Sequence, residues 1–178
     1  MRRILRYASF MAAVVLPAIS ILAQPNRNAQ LNSEYRKWLG EDVRWIITNQ
    51  ERTSFLHLKN DEDRDRFVAE FWEQRNPAPG SQPNPFKEEH YRRIAFANEH
   101  FAASTPGWKS DRGRIYIVYG PPDSIQTQAS TSTTPAEQLW VYRHMQGKSG
   151  EVQLNFVDRC RCGDYTFESP MPDAPLGR

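Results

Sequence analysis

The chain has 178 residues, of which 39% are hydrophobic, with 23 Lys and Arg against 21 Asp and Glu. Three of the basic residues fall within the first 24 positions, which contain no acidic residue, so positions 25–178 carry 20 basic and 21 acidic residues. A nearly neutral chain lacks the basic surface that nucleic-acid binding needs, and about 150 residues suffice for one domain with a hydrophobic core. The sequence therefore predicts one domain and no nucleic-acid partner.

The N-terminal segment 1–24 predicts an export signal. Three arginines within the first six residues precede an apolar run over 9–23, which is interrupted by Pro17. A charged start and an apolar run too short for a comfortable membrane span are typical of a signal peptide, here with cleavage after residue 20 or 23. An uncleaved anchor helix is the alternative. We expect an exported protein that is periplasmic, envelope-associated or secreted, without a stable membrane span after cleavage.

The polar segment 25–31 is interpreted as a linker, and three helical patterns follow it. The first covers 32–50, is capped by Asn32 or Ser33 and has Gly40 at a possible break. The second begins at Asn60 or Asp61 and ends before the Asn-Pro pair at 76–77. The third runs from Pro85 to about residue 102. We therefore expect three or four helices in the first part of the domain.

The stretch GWKSDRGRIYIVYGPPD, residues 107–123, concentrates turn-forming residues around a short apolar run. Ser110 and Asp111 can accept hydrogen bonds from nearby backbone N–H groups, and Gly113 can adopt positive φ where the apolar run starts. Trp108 can pack over this turn. The run Arg114 to Tyr119 predicts a buried strand. The Gly-Pro-Pro-Asp sequence at 120–123 is expected to end this strand.

The remainder of the chain predicts further strands. Residues 124–138 are polar and of low complexity, which favours a loop; strands follow over 139–142, from Val152 to Phe156 and around Tyr165 and Phe167. We expect a disordered tail over 170–178. Helices followed by strands predict an α+β fold: N-terminal helices packed on a small antiparallel sheet of about four strands, all within one domain over 32–169.

The two cysteines, Cys160 and Cys162, are separated by one residue. Extended residues at this spacing lie near the upper limit of Cα separation for a disulfide, so a strained bridge, an intermolecular bridge and two free thiols all remain open. No nearby His or Cys at ligand spacing completes a metal site. We expect no bound metal and no cofactor.

The stretch 107–123 has a structural interpretation and two functional ones. In the structural interpretation its polar residues hold their own backbone. In the functional ones, Trp108, Asp111, Arg112 and Asp123 form a binding surface for a glycan or peptide carboxylate, or the two carboxylates form an acid and base pair. A 12-residue separation across a strand argues against the last. The sequence contains no Gly-x-Ser-x-Gly, His-Glu-x-x-His or phosphate-loop motif, so the structural interpretation is favoured.

The stretch GWKSDRGRIYIVYGPPD resembles the signature of the bacterial GWxTD domain family. The similarity extends upstream through KWLGEDVRWIIT, FVAEFWEQRNP and NPFKEEHYRRIAFANEHF and downstream to WVYR, about residues 35–165. Ser110 stands where the family name has Thr, and both residues offer a hydroxyl. The cysteines lie outside these motifs. The resemblance implies an exported envelope or surface protein of bacteria and supplies no reaction.

The resulting hypothesis is an exported envelope or surface domain that acts as a non-enzymatic interaction or structural module. Its expected partner is an unidentified envelope protein or a glycan. The alternative is a small hydrolase or a glycan-binding module that uses Trp108, Asp111 and Arg112. The candidate motif and binding residues are Gly107, Trp108, Ser110, Asp111, Arg112, Gly113, Gly120 and Asp123, with none assigned as catalytic.

Overall fold

A computed structural model describes residues 31–168. The predicted signal peptide, the predicted tail and all of the predicted linker except Leu31 lie outside the described residues. Leu31 itself is 4% exposed and packs in the cluster formed by the helices. Within residues 31–168, no helix is both long and apolar enough to cross a membrane.

The architecture is α+β, as predicted, with five α-helices before a four-stranded sheet. The helices are α1 Ser33–Lys37, α2 Asn49–His57, α3 Asp61–Glu73, α4 Pro85–Phe101 and α5 Asp111–Tyr119. A π-helical turn, Trp38–Asp42, continues α1, and a 3₁₀ turn, Gly107–Lys109, precedes α5. The strands are β1 Ser124–Gln128, β2 Ala136–Tyr142, β3 Val152–Asp158 and β4 Thr166–Phe167.

Side-chain caps set the helix starts that the sequence predicted. Asn32, Asn60 and Asn84 each accept a hydrogen bond from the backbone N–H three residues further on. The predicted helix over 32–50 is wrong in its second half: it ends with the π-helical turn at Asp42, and a separate helix that the sequence did not predict, α2, begins with a reciprocal capping box of Thr48 and Glu51. Each cap satisfies a backbone donor that a helix leaves unpaired, which contributes about 1 kcal/mol.

The first four helices enclose an aromatic cluster that we call the helical core. Phe55 is fully buried and lies between the rings of Tyr35 and Trp38, with centroid distances of 5.8 and 4.9 Å. Rings at such distances and tilts interact favourably beyond their burial. The buried members are Leu31, Tyr35, Trp38, Leu39, Val43, Phe55, Phe71 and Trp72.

The second cluster, the sheet core, lies where α4 and α5 meet the inner face of the sheet. The strands run antiparallel in the order β1-β2-β3-β4, and Trp140 of β2 pairs with Leu154 of β3. Alternation along β2 and β3 turns every second side chain inward. The buried members are Ile94, Ala97, Phe101, Ile115, Ile117, Trp140, Tyr142, Met145, Leu154 and Phe156.

The predicted strand from Arg114 to Tyr119 is wrong, because this run is the greater part of α5. Ser110 caps α5 and Asp111 occupies its first turn, which are helix-start signals. Ile115 and Ile117 are both buried, and α5 contacts both α4 and β4. A helix buried on more than one side has no single apolar stripe, so its sequence resembles that of a buried strand.

The predicted loop over 124–138 is wrong at both ends. Residues 124–128 form β1, which pairs with β2 from Ser124 opposite Val141 to Gln128 opposite Glu137, and β2 already begins at Ala136. Every residue of β1 is exposed. An exposed edge strand needs no apolar face, so its polar sequence gave no sign of a strand. The sheet therefore has the predicted number of strands with a different first member.

Candidate functional site

The GWKSDRG stretch forms the 3₁₀ turn and the first residues of α5. The hydroxyl of Ser110 accepts a hydrogen bond from the backbone N–H of Gly113 at 3.0 Å and donates one to the carbonyl of Gly107 at 2.9 Å. The expected hydroxyl-closed turn is present, but it caps a helix where the sequence predicted a strand. Both hydrogen-bonding functions of this hydroxyl are thus used inside the motif.

The two glycines of this turn permit close backbone approach. A Cβ on Gly107 would lie 1.8 Å from the carbonyl oxygen of Ala97 in α4, and a Cβ on Gly113 would lie 1.8 Å from the carbonyl oxygen of Gly107. The expected positive φ of Gly113 is wrong, because this residue lies within α5. The motif needs glycine at both positions since no side chain fits between these backbone segments.

Trp108 joins three parts of the fold. Its backbone N–H donates to the Asn98 side chain in α4 at 2.9 Å, and its carbonyl accepts from the indole Nε1 of Trp45 at 2.8 Å. Its own indole is partly buried and packs against the sheet core. A half-covered ring of this kind is a poor stacking platform. The sequence contained no signal for the Asn98 and Trp45 contacts, which link residues 10 and 63 positions apart.

The two candidate carboxylates bind backbone at opposite ends of α5. Asp111 accepts a hydrogen bond from the backbone N–H of Phe167 in β4 at 2.9 Å. Asp123 accepts one from the backbone N–H of Arg143 at 2.7 Å, after the end of β2. The nine-residue helix α5 separates them, and its eight residue steps span about 12 Å. The structure does not bring them together as an acid and base pair.

Arg112 is buried, with 8% of the residue exposed. Its guanidinium donates to the side-chain oxygen of Gln138 and to the carbonyl of Gly163, both at 3.2 Å. It lies over the rings of Phe101 and Tyr165, at 5.1 and 4.1 Å from their centroids. Burial lowers the pKa of this guanidinium, and the nearby tyrosine and aspartates oppose that shift. The side chain holds α5 to β2 and to the segment before β4.

Gly120 ends α5 with φ of +84°, a conformation that side chains other than glycine rarely adopt. Its N–H donates to the carbonyl of Tyr116 at 2.8 Å, and its own carbonyl accepts from the hydroxyl of Tyr142 at 2.9 Å. Burial raises the pKa of Tyr142, so this phenol stays protonated as the donor at neutral pH. The turn after α5 is thereby fixed to β2.

The cysteines, for which the sequence left three states open, are joined as a Cys160–Cys162 disulfide with Cα atoms 5.2 Å apart. Both residues are exposed. One ligand atom each from Asp158, Cys160 and Cys162 lies within 4.8 Å of the other two. The sulfurs are bonded to each other, however, and a disulfide offers no thiolate to a metal ion.

Two cavities lie among the helices. The larger, about 740 Å³, lies between α3 and the start of α4 beside Trp72 and Tyr91. The smaller, about 300 Å³, is mostly apolar and lies between α4 and α5 beside His90. None of the eight candidate residues lines either cavity. The eight candidate residues are thus built into the framework, and of the stretch 107–123 only the apolar Ile117 and Val118 line the smaller cavity.

Comparison with known proteins agrees with the resemblance in the motif. None of the curated proteins compared with the chain matches it, and no solved structure does. The sequence model of the GWxTD domain matches residues 18–167, which is most of the chain. The eight candidate residues all lie within that range. The chain belongs to the GWxTD domain family.

Proposed function

We propose that this protein is an exported envelope or surface domain that acts as a non-enzymatic interaction or structural module. One observation carries the proposal: the polar side chains of the motif are hydrogen-bonded to the protein's own backbone and amide groups. Ser110, Asp111, Arg112 and Asp123 each have such a partner. A catalytic acid, base or nucleophile must instead reach a substrate.

Two features support export. The first 24 residues have the charged start and apolar run of a signal peptide. The Cys160–Cys162 disulfide fits an oxidising compartment, since disulfides persist outside the cytosol and are rare within it. Neither feature depends on the motif, so the two lines of support are independent.

The same geometry gives little support to the alternatives. A hydrolase needs two carboxylates within reach of one bond, whereas Asp111 and Asp123 lie at opposite ends of α5. A glycan-binding module needs an open aromatic face, whereas Trp108 is partly buried against the sheet core. An exposed edge strand, β1, suits a surface that other molecules contact.

Isosteric substitutions at the carboxylates test the non-enzymatic role. Asp111→Asn and Asp123→Asn keep an oxygen that accepts the observed hydrogen bonds and remove the capacity for acid and base chemistry. Photoreactive residues are placed at exposed positions of the protein, and its partners are crosslinked to it in living cells. We expect both variants to match the parent in folding, in cellular amount and in the covalent adducts that they form. Asp111→Ala is the control that removes the acceptor.

Cell fractionation of the same strains tests export. The parent should be found in the periplasmic, envelope or secreted fraction, lacking its first 20 or 23 residues by mass. A folded Asp111→Asn protein that loses the adducts of the parent, or an uncleaved cytoplasmic parent protein, would count against the proposal.

A further inference from the structure

The Cys160–Cys162 bridge closes a ring around a single residue, Arg161, and that ring is unusual. Arg161 has φ of +57° and is the one non-glycine residue with positive φ among residues 31–168. The left-handed region crowds the Cβ of an L-residue, and arginine gains none of the local hydrogen bonds that make Asn and Asp tolerant of it. The closed ring therefore holds its central residue in an unfavourable conformation.

The bridge contributes little to the stability of the domain. A disulfide stabilises a protein mainly by restricting the unfolded chain, and the effect grows with the length of the loop that it closes. Here the sequence separation is only two residues. The strain at Arg161 offsets part of that small gain, so a structural role does not account for the bridge.

The turn that holds the cysteines is fixed by groups other than the bridge. The buried Asp158 carboxylate accepts the backbone N–H of Cys162 at 3.1 Å and that of Gly163 at 2.9 Å. The carbonyl of Gly163 accepts from Arg112. Because these bonds do not involve sulfur, they persist when the bridge opens and keep the two thiols close enough to close again, whereas the backbone of Arg161 is then released from the ring.

The reduced state also has a partner ready for one thiol. The Sγ atom of Cys160 lies 3.2 Å from the Oδ1 atom of Asp158. A sulfur within a disulfide has no hydrogen to donate, but the Cys160 thiol formed on reduction can donate to this carboxylate. Strain in the closed form and a hydrogen bond available to the open form both shift the equilibrium towards reduction.

We infer that Cys160–Cys162 is an exchangeable disulfide that reacts with thiolates, and that the left-handed backbone of Arg161 makes it so. The substrate class is an accessible cysteine thiolate, presented by a small thiol or by an exposed protein cysteine. The exposure of both cysteines permits the attack. This inference does not depend on the proposed interaction role, because it requires only the bridge and its turn.

The exchange proceeds in two balanced steps. A thiolate attacks one sulfur of the bridge, forms a mixed disulfide and releases the other sulfur as a thiolate, which takes a proton from water. A second thiolate then attacks the mixed disulfide and releases the remaining cysteine. Two thiols lose two electrons in forming their own disulfide, and the bridge gains both as it becomes two thiols.

Glutathione titration of the purified full chain tests the inference. The protein is equilibrated with graded millimolar mixtures of reduced and oxidised glutathione, alkylated and weighed by mass spectrometry to count free thiols. We expect the bridge to open within this range while the melting temperature falls by less than about 5 °C. A bridge that stays closed until the protein unfolds would overturn the inference. Reduced glutathione and a cysteine peptide, run as separate arms, identify the faster thiol source.

Two variants isolate the backbone of Arg161. Arg161→Asn and Arg161→Gln both remove the charge and leave an amide, but asparagine tolerates the left-handed region better. We expect the bridge of Arg161→Asn to be several-fold harder to reduce than that of Arg161→Gln. Equal reduction equilibria for the two variants would also overturn the inference. The variant with both Cys160→Ser and Cys162→Ser serves as the unreactive control.

Discussion

The helical core and the sheet core each border an arginine whose side chain is largely buried, and the two arginines are held differently. Arg75, beside the helical core, binds both carboxylate oxygens of Glu51 at 2.8 and 3.0 Å and lies 3.7 Å from the centroid of Phe71. Arg112, beside the sheet core, donates to an amide oxygen and a backbone carbonyl and lies over two rings. Thus Arg75 is hydrogen-bonded to a carboxylate, whereas the hydrogen-bond partners of Arg112 are neutral.

This difference indicates what each side chain does for the fold. The Arg75 to Glu51 pair joins α2 to the end of α3, so its strength depends on one partner. The partners of Arg112 come from α4, β2 and the segment between β3 and β4. Arg112 thus organises the centre of the domain through neutral hydrogen-bond partners in several segments, while the nearby charges of Asp158 and Asp164 favour its charged form.

The glycines extend the comparison and give the largest expected effect. Gly113→Ala places a Cβ 1.8 Å from the Gly107 carbonyl oxygen, so the start of α5 must move, and we expect a loss of about 3 kcal/mol or more in the free energy of unfolding. Gly40→Ala beside the helical core is the matched control, because a Cβ there meets nothing within 4 Å. It should be neutral or stabilising by up to about 1 kcal/mol. Denaturant unfolding measures both; equal midpoints would contradict the close approach.

The arginines themselves give the next largest effect. Arg75→Met leaves the Glu51 carboxylate without its cation and should cost about 2–4 kcal/mol. Arg112→Met leaves no carboxylate without its hydrogen-bond donor, so the loss in the free energy of unfolding should be smaller, about 1–3 kcal/mol. Adding Glu51→Gln to Arg75→Met should restore part of the loss. If Arg112→Met proves the more costly, the distinction between the two cations is wrong.

The Arg75 pair also predicts a pH dependence. Burial alone would raise the pKa of Glu51, but hydrogen bonds from Thr48 and Arg75 together outweigh it and hold this pKa below its ordinary value. A lowered carboxyl pKa contributes stability above the unfolded pKa of about 4.3, and that stability is lost as the pH falls through the folded value. The stability difference between the parent and Arg75→Met should therefore narrow below about pH 4 in unfolding measurements at graded pH.

The cap of α5 gives a smaller effect. Ser110→Ala removes the hydroxyl that binds Gly113 and Gly107 and should cost about 1 kcal/mol. Ser110→Thr restores the residue in the family name and should change the free energy of unfolding by less than about 0.5 kcal/mol. Thermal unfolding of both variants checks this pair. A Thr variant as unstable as the Ala variant would mean that the site does not admit the extra methyl group.

Substitution of His90 gives the smallest expected effect, a change in how steeply the free energy of unfolding depends on pH. Burial lowers the pKa of His90, and the nearby positive charges of Arg93 and Arg75 lower it further. The Nε2 atom lies 2.6 Å from the carbonyl oxygen of Asp42, and this hydrogen bond and the Asp42 charge oppose the shift. A histidine that resists protonation in the fold contributes stability above its unfolded pKa of about 6.5, and this is lost as the pH falls below that value. His90→Gln should flatten the stability curve between about pH 5 and 7. An unchanged slope would contradict this prediction.

The sequence predicted the helical region better than the motif for a physical reason. Asn32, Asn60 and Asn84 act locally, each on a backbone group three residues away, so their role can be inferred from sequence alone. The identity of α5 depends on contacts with α4 and β4 that lie far away in the chain. Its β-branched residues favoured a strand, and tertiary packing overrode that preference.

The candidate site follows the same rule. The hydroxyl of Ser110 was correctly expected to close a turn, because its partners lie within three residues. The partner of Asp111 is 56 residues away, and that of Arg112 is 51 residues away at Gly163. The disulfide could not be decided from spacing, because the separation of its Cα atoms depends on the backbone angle of Arg161.

The hydrogen bond from Phe167 to Asp111 has a consequence for synthesis of the protein. It joins the first turn of α5 to β4, the final strand of the described residues. This bond and the pairing of β4 with β3 cannot form until position 167 has left the ribosome. Until then the nascent chain lacks the last strand of its sheet, and the first turn of α5 lacks this partner.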